Sequence, residues 1–285
     1  MRIAIVSDIH GNLPAFEAVV ADLKTQAPDQ VYFGGDLVNR CPWTREVIDL
    51  YQELGWPGVL GNHDLILANL NTDRSHPVFQ NRRRFPDMWW IWGRLTPSDR
   101  ALLGAFPHEL PIHLPGLPAM RLLHGVPGNP FAGIYPEMPD RKIAAALDPI
   151  QEAVLICGHT HRTVDRVSGR WRVINAGSVG LPYNGDPRAQ YVILDGVDGA
   201  WQSTFRHVDY DRERVRQAFA TSGIRAEAGP VCELSLRTVL TGEPYASDFG
   251  AWLRTQPDET RIDPGSAVAT YLNTHGPGHW AFFMG

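Results

Sequence analysis

The sequence predicts an α/β fold, in which a β-α-β-α-β first half is followed by short strands joined in hairpins. The first half opens on a continuous apolar run, Ile3 to Val6, of the kind that a sheet buries on both faces. Shorter apolar runs at 31–33 and 59–60 follow, each after a segment long enough for a helix. Because polar residues end all three runs, we expect a functional site at the carboxyl ends of these strands, where open α/β sheets place their sites.

Two helices are predicted between these strands. Asn12 can cap the first helix, Pro14 lies in its first turn, and apolar residues recur at helical spacing as far as Lys24. The second helix is expected at 44–54. This alternation of strand and helix completes the predicted first half.

Residues from about Leu65 to Leu110 break the alternation and are predicted to form an inserted helical cap. The insertion contains the basic run Arg82-Arg83-Arg84, a group of aromatic residues between Met88 and Trp92, and a helix at 97–106. The basic run is either a solvated turn beside a buried helix or a rim that meets an anionic substrate. The aromatic residues favour an ordered lobe. That lobe would narrow access to the site, pack away from it or form a contact between two copies of the chain, so a homo-oligomer stays open.

The strands of the second half are predicted to form an antiparallel sheet. They are expected at 110–114, 119–123, 153–157, 163–167, 171–174, 191–194 and 201–205, with a helix at 139–147. Ser168-Gly169 and the segment from Gly196 to Gly199 are typical hairpin turns. A charged helix at 211–222 ends the predicted domain, residues 1–222. A C-terminal appendage, residues 223–285, is expected to pack on this domain and to end in the glycine-rich stretch at 276–278.

Composition narrows the class of protein. The chain has 285 residues, of which 44% are hydrophobic, and this is enough for one large domain with a real core. Its formal net charge of −5 provides no overall positive charge that would attract nucleic acid or an anionic membrane. The three cysteines form no CxxC pattern, and no apolar stretch approaches the roughly 20 residues that span a bilayer. The N-terminus lacks a signal-peptide pattern, so we expect a cytoplasmic protein with neither nucleic acid nor a membrane as its partner.

Four short motifs and one isolated histidine follow the predicted strands and carry most of the chemical information. They are Asp8-Ile9-His10, Gly35-Asp36, Gly61-Asn62-His63-Asp64, His124-Gly125 and Gly158-His159-Thr160-His161. Each has an ordinary structural explanation when taken alone, such as a turn, a helix cap or a buried histidine. Together they place carboxylates, an amide and imidazoles after successive strands, which is the mixed oxygen and nitrogen set that two divalent ions need. The sequence therefore indicates metal-assisted hydrolysis of a phosphate ester.

These motifs resemble the signature of the calcineurin-like metallophosphoesterases, and most closely that of their small prokaryotic phosphodiesterase branch. The Asp-x-His-Gly-Asn start at Asp8 to Asn12 and the segment from Asn175 to Gly180 contribute to the resemblance, which covers roughly residues 1–220. It implies an α+β sandwich of two mixed β-sheets face to face, flanked by helices, with a dimetal site at the strand ends.

The resemblance also implies a role for each motif residue. One ion would be held by Asp8, His10, Asp36 and His161. The other would be held by Asp36, Asn62, His124 and His159, with the two oxygens of Asp36 bridging the ions. A hydroxide held between the ions would attack the phosphorus. His63 would be the catalytic residue that protonates the leaving oxygen or stabilises the transition state.

Two further residues are candidates for substrate binding. Arg40 matches the phosphate-gripping arginine of the family, with a surface arginine after a strand as the plain alternative. Asn12 is either a helix cap or a residue that contacts the substrate. At Asn39 the sequence departs from the protein Ser/Thr phosphatases of the superfamily, which have an aspartate there that orients the catalytic histidine. An amide can accept a hydrogen bond but carries no charge, so it would raise the pKa of that histidine less and argues against a protein phosphatase.

The predicted function is that of a phosphoesterase that uses two divalent metal ions to hydrolyse phosphodiesters or phosphomonoesters of small substrates. Mn²⁺, Fe, Zn²⁺ and Co²⁺ all suit the ligand set. The alternatives among enzymes are a protein Ser/Thr phosphatase, a dinucleoside polyphosphate hydrolase and a nuclease, the last disfavoured by the acidic net charge. The alternative outside that class is a protein-binding scaffold of the same fold, which would be expected to have lost a metal ligand or the catalytic histidine.

Overall fold

Two mixed β-sheets form the centre of the computed structural model, which describes residues 1–274. The strands are β1 (Arg2–Val6), β2 (Gln30–Phe33), β3 (Glu109–Ile112), β4 (Met120–Leu123), β5 (Val154–Cys157), β6 (Thr163–Ser168), β7 (Trp171–Ala176), β8 (Ala189–Val197) and β9 (Ala200–Val208). The first sheet has the strand order β2-β1-β8-β9, and the second has the order β3-β4-β5-β7-β6.

Helices surround both sheets. They are α1 (Leu13–Gln26), α2 (Thr44–Leu54), α3 (Asn62–Asn69), α4 (Pro86–Trp92), α5 (Pro97–Gly104), α6 (Asp140–Leu147), α7 (Arg212–Thr221), α8 (Ile224–Ala228), α9 (Cys232–Thr241), α10 (Tyr245–Leu253), α11 (Asp258–Ile262) and α12 (Gly265–Thr274). Short 3₁₀ helices lie at Pro77–Gln80 and Gly229–Val231.

The side chains of β1 show why the layers pack as they do. Ile3 and Ile5 belong to the apolar cluster between the two sheets, whereas Ala4 and Val6 belong to the cluster that includes α1 and α2. All four are fully buried, which explains the continuous apolar run. The apolar face of α6 covers the outer side of the second sheet. The α/β class and the face-to-face sandwich implied by the family resemblance are therefore confirmed.

The first half has the parallel pairing that alternating strands and helices favour. β1 pairs parallel with β2, from Ile3 opposite Gln30 to Val6 opposite Phe33. The strand predicted at 59–60 is not present as a sheet strand. In its place, Gly58 makes an isolated parallel bridge to Phe33, and the chain then turns into α3.

The prediction of one antiparallel sheet for the second half is wrong. β8 and β9 do form a hairpin, but β8 pairs antiparallel with β1 and so belongs to the first sheet. β5 pairs parallel with both β4 and β7, so the second sheet is mixed. The hairpin turns have local sequence signals, whereas the sheet that a hairpin joins depends on pairing between distant segments.

The insertion, about Leu65 to Leu110, is helical, as predicted, and packs into the main core. Trp89, Trp90 and Ile91 of α4 are buried in the same apolar cluster as Phe16 of α1. α4 also contacts α8 of the C-terminal segment. The insertion is thus part of the helical layer on the first sheet.

The C-terminal segment continues that layer and then adds a smaller cluster. Ile224, Cys232 and Leu236, from α8 and α9, belong to the main apolar cluster. Phe249 and Trp252 of α10 pack with α12 in a cluster of their own. The glycine-rich stretch at 276–278 lies outside the described residues. No helix in residues 1–274 combines the length and the apolar character that a membrane span requires.

Candidate metal centre

Loops at one edge of the two sheets bring the predicted ligands together. Asp8 and His10 follow β1, Asp36 follows β2, Asn62 begins α3, His124 follows β4, and His159 and His161 follow β5. This edge lies at the carboxyl ends of the parallel pairs β1–β2 and β4–β5. His159 is half-buried, and the other six residues are buried.

The backbone strain of the described chain is concentrated in these loops. Among residues 1–274, ten non-glycine residues have a positive φ, and seven of them are here. The seven are Asp8, His10, Asp36, Asn39, Arg40, His159 and His161. Such backbone costs of order 1–3 kcal/mol per residue and persists only where the surroundings enforce it. The loops enforce it on each other, since the N–H of His10 donates to the carbonyl of Asp36 at 3.0 Å.

Four donors form one tight group, Asp8, His10, Asp36 and His161. One ligand atom from each lies within 4.8 Å of the other three. The Nε2 atoms of His10 and His161 are 3.0 Å apart, and His161 Nε2 is 3.1 Å from Asp8 Oδ1. His10 Nε2 is 3.5 Å from Asp36 Oδ2. These are the four residues that the family resemblance implies for the first ion.

Asp36 also contacts the second group of donors, Asn62, His124 and His159. Its Oδ2 lies 3.3 Å from His124 Nε2. Asn62 Oδ1 is 3.0 Å from His124 Nε2 and 2.9 Å from His159 Nδ1. Asp36 therefore stands between the two groups, where a shared ligand would be.

Hydrogen bonds behind two of the imidazoles fix which nitrogen faces the cluster. His124 Nδ1 donates to the carbonyl of Gly34 at 2.8 Å, and His161 Nδ1 donates to the carbonyl of Leu181 at 2.6 Å. In a neutral ring the other nitrogen, Nε2, is then an acceptor. Both Nε2 atoms face carboxylate oxygens, His124 that of Asp36 and His161 that of Asp8. A divalent cation among these atoms would bind the carboxylates and displace any proton from Nε2, so the donor set fits a metal ion.

Burial and charge set the protonation of the cluster. Burial lowers the pKa of His10 well below its ordinary value and that of His159 to about 4. Burial also opposes a charge on His124, but the Asp36 carboxylate outweighs it and raises the pKa of His124 to about 10. For Asp36, burial opposes the charge and the neighbouring His124 outweighs it, so its pKa is well below the ordinary value. Asp36 is therefore a carboxylate, the form that binds a cation.

Two glycines allow the ligands to approach so closely. A Cβ on Gly61 would lie 2.1 Å from Asp36 Oδ1, and a Cβ on Gly158 would lie 2.5 Å from Asp8 Oδ2. A side chain at either position would displace a carboxylate of the cluster. This close approach explains the glycine that opens each of the two motifs.

His63 lies beside the donors but outside both groups. Its Nδ1 is 2.5 Å from Asn39 Nδ2, and Asn39 Oδ1 accepts the N–H of Arg40 at 3.0 Å. Asn39 therefore donates to the ring, although an acceptor was expected there, and the proton of the neutral ring is on Nε2. Burial lowers the pKa of His63 to about 3, so the ring is neutral and can donate one hydrogen bond.

Asp64 has a role that the sequence analysis did not assign. Its buried carboxyl group accepts the backbone N–H groups of Asp36 at 2.8 Å, Leu37 at 2.9 Å and Gly61 at 3.1 Å. These bonds tie the start of α3 to the loop that carries Asp36. The position of Asp64 could have indicated this role. It lies in the first turn of α3, three residues after the cap residue Gly61, and an acidic side chain there commonly accepts backbone N–H groups at the start of the helix.

A pocket of about 140 Å³ opens over the cluster. Its lining residues are His10, Asp36, Arg40, Asn62, His63, Tyr135, His159, Thr160, His161, Tyr183 and Ser247. Tyr135, Tyr183 and Ser247 were not singled out from the sequence, because no local motif marks them. They come from three separate segments that meet only in the fold.

The insertion and its basic run do not line this pocket. Arg82 stacks on Trp89 with its guanidinium carbon 4.2 Å from the ring centroid, and Arg84 lies 5.4 Å from that of Phe85. This is the arrangement of a solvated turn beside a buried helix. Of the alternatives left open for the insertion, this arrangement favours a lobe that packs away from the site.

Arg40 does line the pocket, and the insertion supports it indirectly. Arg40 Nη1 is 3.4 Å from Oδ2 of Asp87 in the first turn of α4. The Asp87 side chain is 3% exposed and that of Arg40 is 29% exposed. Asp87 can thus orient the guanidinium while its other donors face the pocket.

Asn12 lies apart from the pocket. It is fully buried, its Oδ1 accepts the N–H of Ala15, and its Nδ2 donates to the carbonyl of Gly180 at 3.0 Å. Asn12 caps α1 and ties it to the loop after β7. This geometry matches the helix-cap alternative for Asn12.

Comparisons with known proteins show what the chain resembles. Residues 1–199 match the model of the calcineurin-like phosphoesterase superfamily domain. An uncharacterized protein of Methanocaldococcus jannaschii is 26% identical over 232 residues, which are 75% of this chain and 89% of that protein.

Two solved structures resemble the chain over most of its length. The crystal structure of a metallophosphoesterase from Sphaerobacter thermophilus has a TM-score of 0.65 at 28% identity and covers 85% of this chain and 99% of that one. The structure of a hypothetical protein from Pyrococcus horikoshii has a TM-score of 0.68 at 22% identity and covers 81% and 97%. The second likeness bears on the fold alone.

Proposed function

Because the chain belongs to the calcineurin-like phosphoesterase superfamily, we propose that it hydrolyses small phosphoesters with two divalent cations. The observation that carries the proposal is the position of the Asp36 carboxylate between two groups of buried donors. Asp8, His10, Asp36 and His161 would hold one ion, and Asp36, Asn62, His124 and His159 would hold the other. When bound, such a pair of ions polarises phosphoryl oxygens and supplies a hydroxide nucleophile near neutral pH.

The chain's own groups would bind the phosphoryl group and stabilise the leaving oxygen. Arg40 lines the pocket with a guanidinium fork, which suits two phosphoryl oxygens. His63 lines it with a neutral ring that has its proton on Nε2. A neutral ring stabilises developing charge by hydrogen bonding, and full proton transfer would require a charged ring first. Of the two roles considered for His63, its environment therefore favours stabilisation of the transition state.

The experiment that tests this function is a substrate panel on protein stripped with a chelator and reloaded separately with Mn²⁺, Fe²⁺, Zn²⁺ or Co²⁺. We expect hydrolysis only after reloading. The pocket of about 140 Å³ is below the roughly 300–1,000 Å³ of sites for drug-sized ligands, so small esters should be preferred. The kcat/KM for bis-p-nitrophenyl phosphate should therefore exceed that for a phosphoprotein or linear DNA.

Other outcomes of the panel would redirect the proposal. A higher kcat/KM for phosphoprotein or DNA would contradict a small substrate and favour a protein phosphatase or a nuclease. Preference for a dinucleoside polyphosphate would select that alternative. A protein that hydrolyses nothing with any of the metals would contradict the enzyme proposal and favour a binding scaffold.

A cytoplasmic location stays a prediction from the sequence.

Arg40→Ala is expected to lower kcat/KM by about 10- to 150-fold, since a hydrogen bond to a charged group is worth roughly 1.5–3 kcal/mol. Asp87→Asn should have a smaller effect in the same direction, because it removes only the group that orients the guanidinium. Arg82→Ala is the matched control and should behave as wild type, because Arg82 stacks on Trp89 away from the pocket. Equal losses in Arg82→Ala and Arg40→Ala, measured with the same metal-loaded diester assay, would contradict the role of Arg40.

A further inference from the structure

The C-terminal segment contributes a residue to the lining of the pocket. This residue is Ser247 of α10, and we call it, together with Tyr135 and Tyr183, the hydroxyl wall of the pocket, or the wall. The match to the family model ends at residue 199. Ser247 is therefore a pocket residue outside the matched domain, whereas Tyr135 and Tyr183 lie within it.

Direct backbone contact holds this wall against the site. The N–H of Gly185 donates to the carbonyl of Gly242 at 2.9 Å, in the turn between α9 and α10. Gly242 has a φ of +74°, and a Cβ there would lie 2.6 Å from the backbone of Asp186. The loop that contains Gly185 also contains Tyr183, whose ring centroid is 4.2 Å from that of His161. α10 is thus connected through one loop to a predicted metal ligand.

α9 also holds α10 in place. It packs against α10 and leads into the turn at Gly242, and its residues Cys232, Leu236 and Val239 are buried in the main apolar cluster. Because α9 belongs to the core and the turn is bonded to the loop after β7, the N-terminal end of α10, which contains Ser247, is held against the site.

Ser247 is suited to hydrogen bonding with a ligand. It is half-buried, and within residues 1–274 its hydroxyl makes no hydrogen bond to the protein. A serine hydroxyl can both donate and accept. Tyr135 and Tyr183 contribute aromatic rings to the same lining. The wall therefore offers a serine hydroxyl and aromatic surface to whatever is attached to the phosphoryl group.

We propose that Ser247 is a specificity-determining residue that hydrogen-bonds the alcohol part of a compact, hydroxyl-bearing phosphoester such as a glycerol or sugar phosphate. The inference rests on the proposed function, since the phosphoryl group would lie against Arg40 and the metal-binding cluster. The alcohol part would then extend toward Ser247 and the two tyrosines. A polyol matches this wall because its hydroxyls can exchange hydrogen bonds with Ser247 while its C–H groups pack on the rings.

Binding of non-hydrolysable phosphonates to the full-length, Mn²⁺-loaded protein tests the inference without requiring turnover. The probes are 3,4-dihydroxybutylphosphonate, an analogue of glycerol 3-phosphate, and butylphosphonate, which has the same chain without hydroxyls. Ser247→Ala should weaken calorimetric binding of the dihydroxy compound by about 2- to 10-fold, the range expected for one neutral hydrogen bond. Binding of butylphosphonate should not change. Ser98→Ala, at an exposed serine of α5, is the control and should match wild type for both probes.

Each result has a defined consequence. Equal effects of Ser247→Ala on the two probes, an unchanged affinity for the dihydroxy compound, or failure of the wild type to bind either probe would overturn the inference. Hydrolysis of bis-p-nitrophenyl phosphate by the same preparation is scored separately. If the probes discriminate as expected but no ester is hydrolysed, the proposed function fails and the role of Ser247 in binding stands. If esters are hydrolysed but discrimination is absent, the inference alone fails.

Discussion

Asp36→Asn is expected to abolish detectable hydrolysis and to lower the metal content of the purified protein. Asp36 Oδ2 lies 3.3 Å from His124 Nε2 and 3.5 Å from His10 Nε2, so a single substitution affects both donor groups. An amide has one oxygen and no charge, which makes it a poor bridge between two cations. The loss should exceed the roughly 10–100-fold that removing a group behind a metal ligand costs. Metal content by mass spectrometry and turnover of bis-p-nitrophenyl phosphate are the two readouts.

Asp49→Asn is the matched control for this substitution. Asp49 lies on α2, its side chain is 48% exposed, and it pairs with Arg45 four residues earlier. Metal content and turnover should equal those of wild type. An Asp36→Asn protein that folds, retains two ions and turns over at the wild-type rate would contradict the assignment of Asp36 as the shared ligand.

His63→Ala is expected to lower turnover by roughly 10²–10³-fold, the range for losing one preorganised donor to a developing negative charge. Metal content should be nearly unchanged, because His63 contacts Asn39 and lies outside both donor groups. The effect should be smaller for nitrophenyl esters than for alkyl esters, since nitrophenolate is a stable leaving group. The measurement is kcat on both ester types with the same metal-loaded sample.

His124→Ala provides the contrast, because His124 faces Asp36 and Asn62 and should be needed to hold metal. His63→Ala protein that loses metal as His124→Ala does would show that the role of His63 is misassigned. Equal losses of kcat on nitrophenyl and alkyl esters would show that His63 does not act on the leaving oxygen.

Local patterns predicted the strands and the helices of the first half well. The run Ile3 to Val6 is β1 within one residue, and the helix expected at 44–54 is α2 with the same bounds. Asn12 caps α1 as its residue type favours. The apolar run at 59–60 is too short for its pattern to predict a strand reliably, and the structure has only an isolated bridge beside it, at Gly58.

Contacts between distant segments were the part that the sequence could not supply. The pattern of β8 and β9 identifies a hairpin, but nothing in it says that β8 pairs with β1. Even at short range, a basic run followed by aromatic residues does not determine whether Arg82 and Arg84 stack on Trp89 and Phe85, as they do, or face a cleft. The same limitation applies to Ser247, which reaches the pocket through the packing of α9 and α10.

The candidate site was easier to anticipate than the sheet arrangement, because each motif follows a strand whose end lies at the same edge. The structure brings Asp8, Asp36 and His161 to within hydrogen-bonding or ion-pair distances of common neighbours, as the motifs suggested. Of the supporting groups, Asp64 was missed, and Asn39 was expected to accept a hydrogen bond from the ring to which it donates. Asp64 and Asn39 act on backbone N–H groups and on a ring nitrogen, and these contacts leave little trace in residue type.

The position and number of metal ions in crystals grown with Mn²⁺, measured by anomalous X-ray scattering, test the shared role of Asp36 most directly. Two peaks per chain at comparable occupancy are expected. One should lie among Asp8, His10, Asp36 and His161, and the other among Asp36, Asn62, His124 and His159. A single peak at full occupancy, or peaks only at other residues, would contradict a site in which Asp36 joins two ions.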